Sequence, residues 1–110
     1  MEHLQFDFPG DPAAPAPHPH GPGYVLVGVV SSGNLEVLLE PATPGGGCRV
    51  RVDTAVAGYG AVWRAVLAEF CARHRLRDLT ISINDMGATP AVVSLRLDQA
   101  FEELERGAAR

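Results

Sequence analysis

The sequence predicts an α+β domain in which two helices cover one face of a mainly antiparallel, four-stranded sheet. Three observations support this fold class. Four short apolar segments follow a strand pattern, two longer segments have helical spacing, and the elements succeed one another in the order β-β-β-α-β-α. A length of 110 residues allows one domain, whose core forms where apolar helix stripes pack on the sheet.

Three strand segments come first. Residues 24–30 (YVLVGVV) are rich in β-branched side chains, which is typical of a strand. Residues 35–40 and 48–54 mostly alternate apolar and polar side chains, as in a sheet with one buried and one wet face. Turn formers separate them: Ser-Ser-Gly-Asn at 31–34, and a looser Pro- and Gly-rich turn at 41–47.

A helix and a fourth strand follow. Residues 60–76 carry one apolar stripe at helical spacing, and basic residues crowd the end of this segment, where positive charge suits the helix dipole. Residues 78–84 return to period-two alternation, which predicts a strand. The helical stripe consists of Val62, Trp63, Val66, Leu67, Phe70 and Cys71.

For the second helix, a strand is the competing interpretation. Thr89-Pro90 is a favourable helix start, a capping hydroxyl followed by proline at the first helical position. Apolar side chains also alternate within residues 91–97, which leaves a fifth strand as the alternative. Helical spacing continues to Leu104, so we predict a helix with Phe101 on its inner face. The stripe is Val92, Val93, Leu97, Ala100, Phe101 and Leu104.

The outer face of the predicted sheet is polar. Its side chains alternate with the apolar ones along the strands, so they point away from the helices. We expect this face either to be solvated or to dock a partner. Its members are Glu36, Glu40, Arg49, Arg51, Asp53, Thr80, Ser82 and Asn84.

The N-terminal segment differs in composition from the rest of the chain. Residues 9–23 contain six prolines and three glycines and have little to bury. We therefore predict a flexible Pro/His-rich tail over residues 1–23 and a folded domain over residues 24–110. Within the tail, Leu4–Phe8 alternates apolar and polar residues, so an edge strand on this domain or on a partner is an alternative.

Composition excludes several function classes. The formal net charge is −4, so nothing suggests nucleic acid, and no apolar run is long enough to span a membrane. The acidic, proline-broken N-terminus does not resemble a secretory signal. The two cysteines, Cys48 and Cys71, are read as reduced thiols of a cytoplasmic protein. All nine basic residues are arginine, which excludes lysine chemistry.

No cluster of residues in the sequence predicts catalysis or metal binding. His18 and His20 lack further ligands nearby, so no metal site is expected. Neither cysteine has an obvious partner that would activate it. The turn Ser31-Ser32-Gly33-Asn34 remains, and a tight hairpin alone explains its residues. The functional alternative is that a serine hydroxyl at the tip is an exposed attachment point.

Two separated segments and the opening of the chain carry a family resemblance. Residues 29–41 (VVSSGNLEVLLEP) resemble the attachment segment of the acyl carrier (delta) subunits of malonate decarboxylase. Residues 83–99 (INDMGATPAVVSLRLDQ) are similar to a second motif of that family, and the opening MEHL and FDFP are similar too. A weaker similarity extends to the acyl carrier (gamma) subunit of citrate lyase.

The resemblance implies a covalently modified serine. In the family, the serine immediately before glycine carries 2'-(5''-phosphoribosyl)-3'-dephospho-CoA through a phosphodiester, which corresponds here to Ser32. Gly33 and Asn34 complete the expected cofactor-binding turn. The family usually has aspartate after that glycine, so Asn34 is a departure that removes a charge and puts contacts of that carboxylate with the modifying transferase in doubt.

The implied function is that of a non-catalytic carrier of acetyl and malonyl thioesters within a multi-subunit malonate decarboxylase. Its expected partners are an acetyl-CoA/malonate transferase subunit, decarboxylase subunits and a prosthetic-group transferase. Two alternatives remain open at this point: a citrate lyase-type carrier, and an interaction module without a prosthetic group.

Overall fold

A computed structural model describes residues 1–17, 23–42, 44–45 and 47–108. Each predicted element between Tyr24 and the C-terminal region is present, with bounds that differ by a few residues. The predicted histidine pair, His18 and His20, lies outside the described residues, as do two positions of the predicted 41–47 turn. The elements are β1 Glu2–Phe8, β2 Val25–Gly28, β3 Leu35–Pro41, β4 Cys48–Thr54, α1 Gly60–Arg73, β5 Leu79–Asp85 and α2 Pro90–Ala108.

The sheet has five strands in the order β1-β4-β5-β3-β2. The pairs β1–β4, β3–β5 and β2–β3 are antiparallel, whereas the central pair β4–β5 is parallel. The α+β class and the predominance of antiparallel pairing are confirmed, but the predicted four-stranded sheet is wrong in strand number. The parallel pair arises because α1 connects β4 to β5 and carries the chain back to the end of the sheet where β4 began.

The additional strand is β1. Leu4, Phe6 and Phe8 point toward the core while the residues between them face outward, and the strand pairs with β4 from Glu2 opposite Thr54 to Phe8 opposite Cys48. The edge-strand alternative for Leu4–Phe8 is therefore what the structure contains, and the fold begins at Glu2 rather than at Tyr24. Residues 2–8 form this strand because pairing with β1 satisfies the backbone N–H and C=O groups of β4 that would otherwise be unpaired at the sheet edge.

The segment after β1 also contacts the domain. The Asp11 N–H donates a hydrogen bond to the Leu76 carbonyl (2.8 Å), and its carboxylate accepts one from Arg75 Nε at 3.0 Å. Ala14 is buried. Flexibility of the remaining Pro/His-rich stretch stays a prediction.

Both helices lie on one face of the sheet, as the stripes predict. α2 packs on β2 and β3, α1 packs near β1, and the helices contact each other. Residues 91–97 are helical, so the competing strand interpretation is wrong. Phe70 is fully buried, but Val62 is exposed and Phe101 is only partly buried against the core. No helix among the described residues is long and apolar enough to cross a membrane.

The outer face of the sheet is open. Each predicted outward residue is exposed or only partly buried, and cross-strand pairs such as Asp7 with Arg49 (3.1 Å) cover part of it. Apolar members lie at the β2 edge, where exposed Leu26 is opposite Leu38.

Candidate functional site

The predicted attachment turn closes the hairpin between β2 and β3. Gly28 ends β2 with a φ of 84°, and a Cβ placed there would lie 2.1 Å from the Leu35 carbonyl oxygen, so only glycine allows this close approach. The Asn34 N–H donates to the Ser31 carbonyl at 2.9 Å, which defines a turn with Ser32 and Gly33 at its centre. Gly33 has a φ of 73°, as the third position of a type II turn requires.

Ser32 therefore occupies the tip of the turn. Ser31 and Ser32 are both exposed, but Ser31 is the first turn residue and its carbonyl closes the turn, while Ser32 is the second turn residue. Nothing lies within 4 Å of a Cβ placed on Gly33, so the space beside Ser32 is open. Ser32 is thus an exposed residue next to open space.

Asn34 anchors the turn to the second helix. Its side-chain oxygen accepts hydrogen bonds from the Leu35 N–H at 2.8 Å and from Arg96 Nε at 3.1 Å. Arg96 also donates to Gln99 Oε1 at 2.9 Å. Aspartate at this position can accept the same two bonds, so the departure from the family pattern removes a charge and keeps an acceptor.

The two segments that carry the resemblance meet in space. The Gly33 N–H donates to the Met86 carbonyl at 2.8 Å, and the Met86 N–H donates to the Asn34 carbonyl at 2.9 Å. These bonds continue the β3–β5 ladder beyond the ends of both strands. The attachment turn is thereby fixed to the turn between β5 and α2.

A buried carboxylate organises that second turn. Asp85 is 3% exposed and accepts hydrogen bonds from Thr54 Oγ1 at 2.8 Å, from the Gly87 N–H at 3.2 Å and from the Ala88 N–H at 3.0 Å. Thr89 then caps α2, because its hydroxyl accepts from the Val92 N–H at 3.3 Å. Each of these residues fixes backbone, and none of them is poised to react.

The thiols are poor nucleophiles. Burial raises the pKa of Cys71 to about 12 and also raises the pKa of Cys48, with the charge of Asp78 adding to the second shift. Both cysteines are free. Among the described residues, no three His, Cys, Asp or Glu side chains cluster to hold a metal ion.

Comparison with known proteins identifies the family. The family model for the malonate decarboxylase delta subunit (MdcD) matches residues 23–104. A malonate decarboxylase acyl carrier protein of Stenotrophomonas maltophilia (strain K279a) is 57% identical over 110 residues, the full length of both chains. The chain belongs to the malonate decarboxylase acyl carrier protein family. It is thus a carrier subunit and not a catalytic one.

Further relatives support the assignment. An acyl carrier protein of the same name from Burkholderia cepacia is 58% identical over 104 residues, covering 94% of this carrier and 91% of that protein. A chain in the crystal structure of a Pseudomonas malonate decarboxylase hetero-tetramer in complex with malonate is 45% identical, with a TM-score of 0.77. The match covers 94% of this carrier and 99% of that chain, so the two share their fold.

The structure brings the predicted site residues together with one that the sequence did not single out. Ser32, Gly33 and Asn34 form one turn, as predicted. Arg96 is the addition: it lies in the second similar segment, 62 positions from Asn34 along the chain, yet contacts it directly. Its presence in that segment was the only signal in the sequence, because no local pattern relates an arginine on α2 to a hairpin between two strands.

Proposed function

We propose that this carrier holds acetyl and malonyl groups as thioesters on 2'-(5''-phosphoribosyl)-3'-dephospho-CoA, attached through a phosphodiester to the Ser32 hydroxyl. The observation that carries the proposal is the exposed position of Ser32 at the centre of a turn that hydrogen bonds fix to Met86. When bound, the group supplies a thiol whose thioester can accept the negative charge left when a malonyl group loses carbon dioxide.

The residues around Ser32 suit such a group. The Ser32 hydroxyl supplies the oxygen of the phosphodiester, and the open space at Gly33 admits the attached chain. Arg96 supplies positive charge beside the turn, and its hydrogen bonds within the described part of the chain, to Asn34 and Gln99, use two of its five N–H donors. We infer that its remaining donors stabilise the phosphates, as arginine commonly does.

The carrier's own contribution is positional. The hydrogen bonds of Gly33 and Asn34 to Met86 fix the base of the attachment, so a tethered acyl group stays at high effective concentration near docked enzymes. We propose that these partners are an acetyl-CoA/malonate transferase subunit and decarboxylase subunits, with a prosthetic-group transferase acting earlier. We also infer a cytoplasmic location, since free thiols persist in reducing compartments.

Two matched variants test the attachment site. Ser32→Ala should fold normally, gain no mass when coexpressed with the prosthetic-group transferase, and fail to support malonate decarboxylation in the reconstituted complex. Ser31→Ala should acquire the full added mass, because its hydroxyl is not the one joined to the group. Intact mass spectrometry and peptide mapping give the readout. Modification that survives in Ser32→Ala and disappears in Ser31→Ala would move the site by one residue.

An unmodified carrier from its native host would favour the alternative of an interaction module without a prosthetic group.

A further inference from the structure

An apolar groove opens beside the attachment turn. It lies between the start of α1, the loop after β4 and the turn between β5 and α2, and it encloses about 360 Å³. This volume is within the range of small-molecule sites. Apolar and aromatic side chains dominate its lining, among them Val56, Tyr59, Val62, Trp63, Val66 and Val93.

The groove and the turn that carries Ser32 are linked through Met86 and Gly87. Gly33 donates its N–H to the Met86 carbonyl, and the next residue, Gly87, lines the groove. A Cβ placed on Gly87 would lie 3.8 Å from Val56 Cγ2, which locates Gly87 at the apolar wall. A long flexible group on Ser32 is therefore attached next to Gly33, whose hydrogen-bond partner Met86 directly precedes a residue of the groove lining.

The charge of the groove selects between acyl groups. Among the described residues, Asp85 is the one acidic side chain in its lining, and no arginine contributes to it. The N-terminal ends of α1 and α2 also meet there, each equivalent to roughly half a positive charge, so the Asp85 carboxylate already offsets them. A second carboxylate would enter without a counter-charge, which is strongly unfavourable in apolar surroundings.

We propose that the groove binds the acetyl-thioester end of the attached arm and excludes the malonyl-thioester end. This inference rests on the proposed function. The neutral acetyl group buries apolar surface in the groove, whereas the malonyl group stays outside, where a decarboxylating partner can reach it. The carrier thus distinguishes the two loaded states through its own residues, without a partner present.

Trp63 provides a direct readout. It is the chain's one tryptophan and it lines the groove, so a ¹⁵N-labelled carrier gives one indole N–H signal that needs no further assignment. Modified carrier is prepared in thiol, acetyl and malonyl forms, and intact mass confirms each load. We expect the indole signal of the acetyl form to differ from that of the unmodified Ser32→Ala carrier, and the signal of the malonyl form to coincide with it. We also expect hydroxylamine to cleave the acetyl thioester about tenfold more slowly than in a variant whose groove is filled.

Two variants with the same chemical change separate groove from surface. Ala88 lines the groove, and Ala88→Leu should fill part of it and abolish the acetyl-dependent shift. Ala91 is exposed on α2 outside the lining, so Ala91→Leu should keep the shift. If Ala88→Leu does not fold, the comparison of the acetyl and malonyl forms of the unaltered chain still tests whether the groove binds one and excludes the other.

Three outcomes overturn the inference. An indole signal that is identical in the acetyl form and in the unmodified Ser32→Ala carrier shows that the groove does not bind the acetyl end. Equal movement in the acetyl and malonyl forms shows that charge does not select. Absence of added mass at Ser32 overturns the proposed function itself, and the inference with it; the mass measurement therefore distinguishes the two failures.

Discussion

Asn34→Asp restores the residue that the family usually has in the attachment turn, and its effect on stability can be worked out from the contacts. The new carboxylate would accept the bonds that Asn34 Oδ1 now accepts from the Leu35 N–H and from Arg96 Nε at 3.1 Å. Hydrogen bonds to charged groups contribute about 1.5–3 kcal/mol against about 1 kcal/mol for neutral ones. Arg96 is only partly buried and shares its donors with Gln99, so the gain falls toward the range of exposed ion pairs.

We therefore expect Asn34→Asp to raise the free energy of unfolding by about 0.5–1 kcal/mol at low salt, which corresponds to roughly 2–5 °C in Tm for a domain of this size. The assay is thermal unfolding at low salt and at about 1 M salt, where the Debye length is about 3 Å and the gain should shrink.

Arg96→Gln is the control background for this substitution. Glutamine carries no charge and cannot form the ion pair, so the part of the gain that depends on salt should be lost there. An undiminished gain in the Arg96→Gln background, or a gain that is the same at low and high salt, would refute the assignment of Arg96 as the partner of residue 34.

Two further predictions concern the core and its rim. Phe70 is fully buried, so Phe70→Ala should cost about 3–5 kcal/mol. Phe101 is partly buried, and its ring centroid lies 4.1 Å from that of His74, so Phe101→Ala should cost less than Phe70→Ala. Urea midpoints measure both losses, and an equal loss would contradict the packing. Burial raises the pKa of Asp98, but hydrogen bonds from Arg73 and His74 outweigh it, so the pKa lies below its ordinary value. A lowered folded-state pKa stabilises the fold above the unfolded pKa of about 3.9, and this stabilisation is lost as pH falls through the folded value. Asp98→Asn should therefore lower stability near neutral pH and flatten its acid dependence; an unchanged acid limb would contradict this.

Local patterns predicted most of the fold. Alternation located β3, β4 and β5 because each has one buried and one wet face, and helical spacing to Leu104 correctly decided the disputed segment 91–97. Strand partners were harder, because the parallel pairing of β4 with β5 depends on where α1 returns the chain. Residues 4–8 alternate apolar and polar side chains, but the proline-rich composition of the following residues favoured the prediction of a flexible tail over the strand β1.

The site was predictable in part. Resemblance located Ser32, Gly33 and Asn34, and the structure places them in one turn. The contact between Asn34 and Arg96 joins a hairpin to a helix distant in sequence, so no local spacing could indicate it. The sequence pattern also did not predict that Phe70 is more buried than Phe101. A helical stripe identifies the face that packs on the sheet, but it does not indicate how deeply each residue of that face is buried.

The raised pKa values of the two cysteines have a consequence for the thioester cargo proposed above. An acyl group on a long tether visits the carrier's own surface often, and a thiolate or an amine there would capture it by exchange or by amide formation. Cys48 is buried, burial raises the pKa of Cys71 to about 12, and the sequence contains no lysine. Thiolate exchange and lysine acylation on the carrier itself are therefore disfavoured, which favours delivery of a loaded acyl group to a partner enzyme.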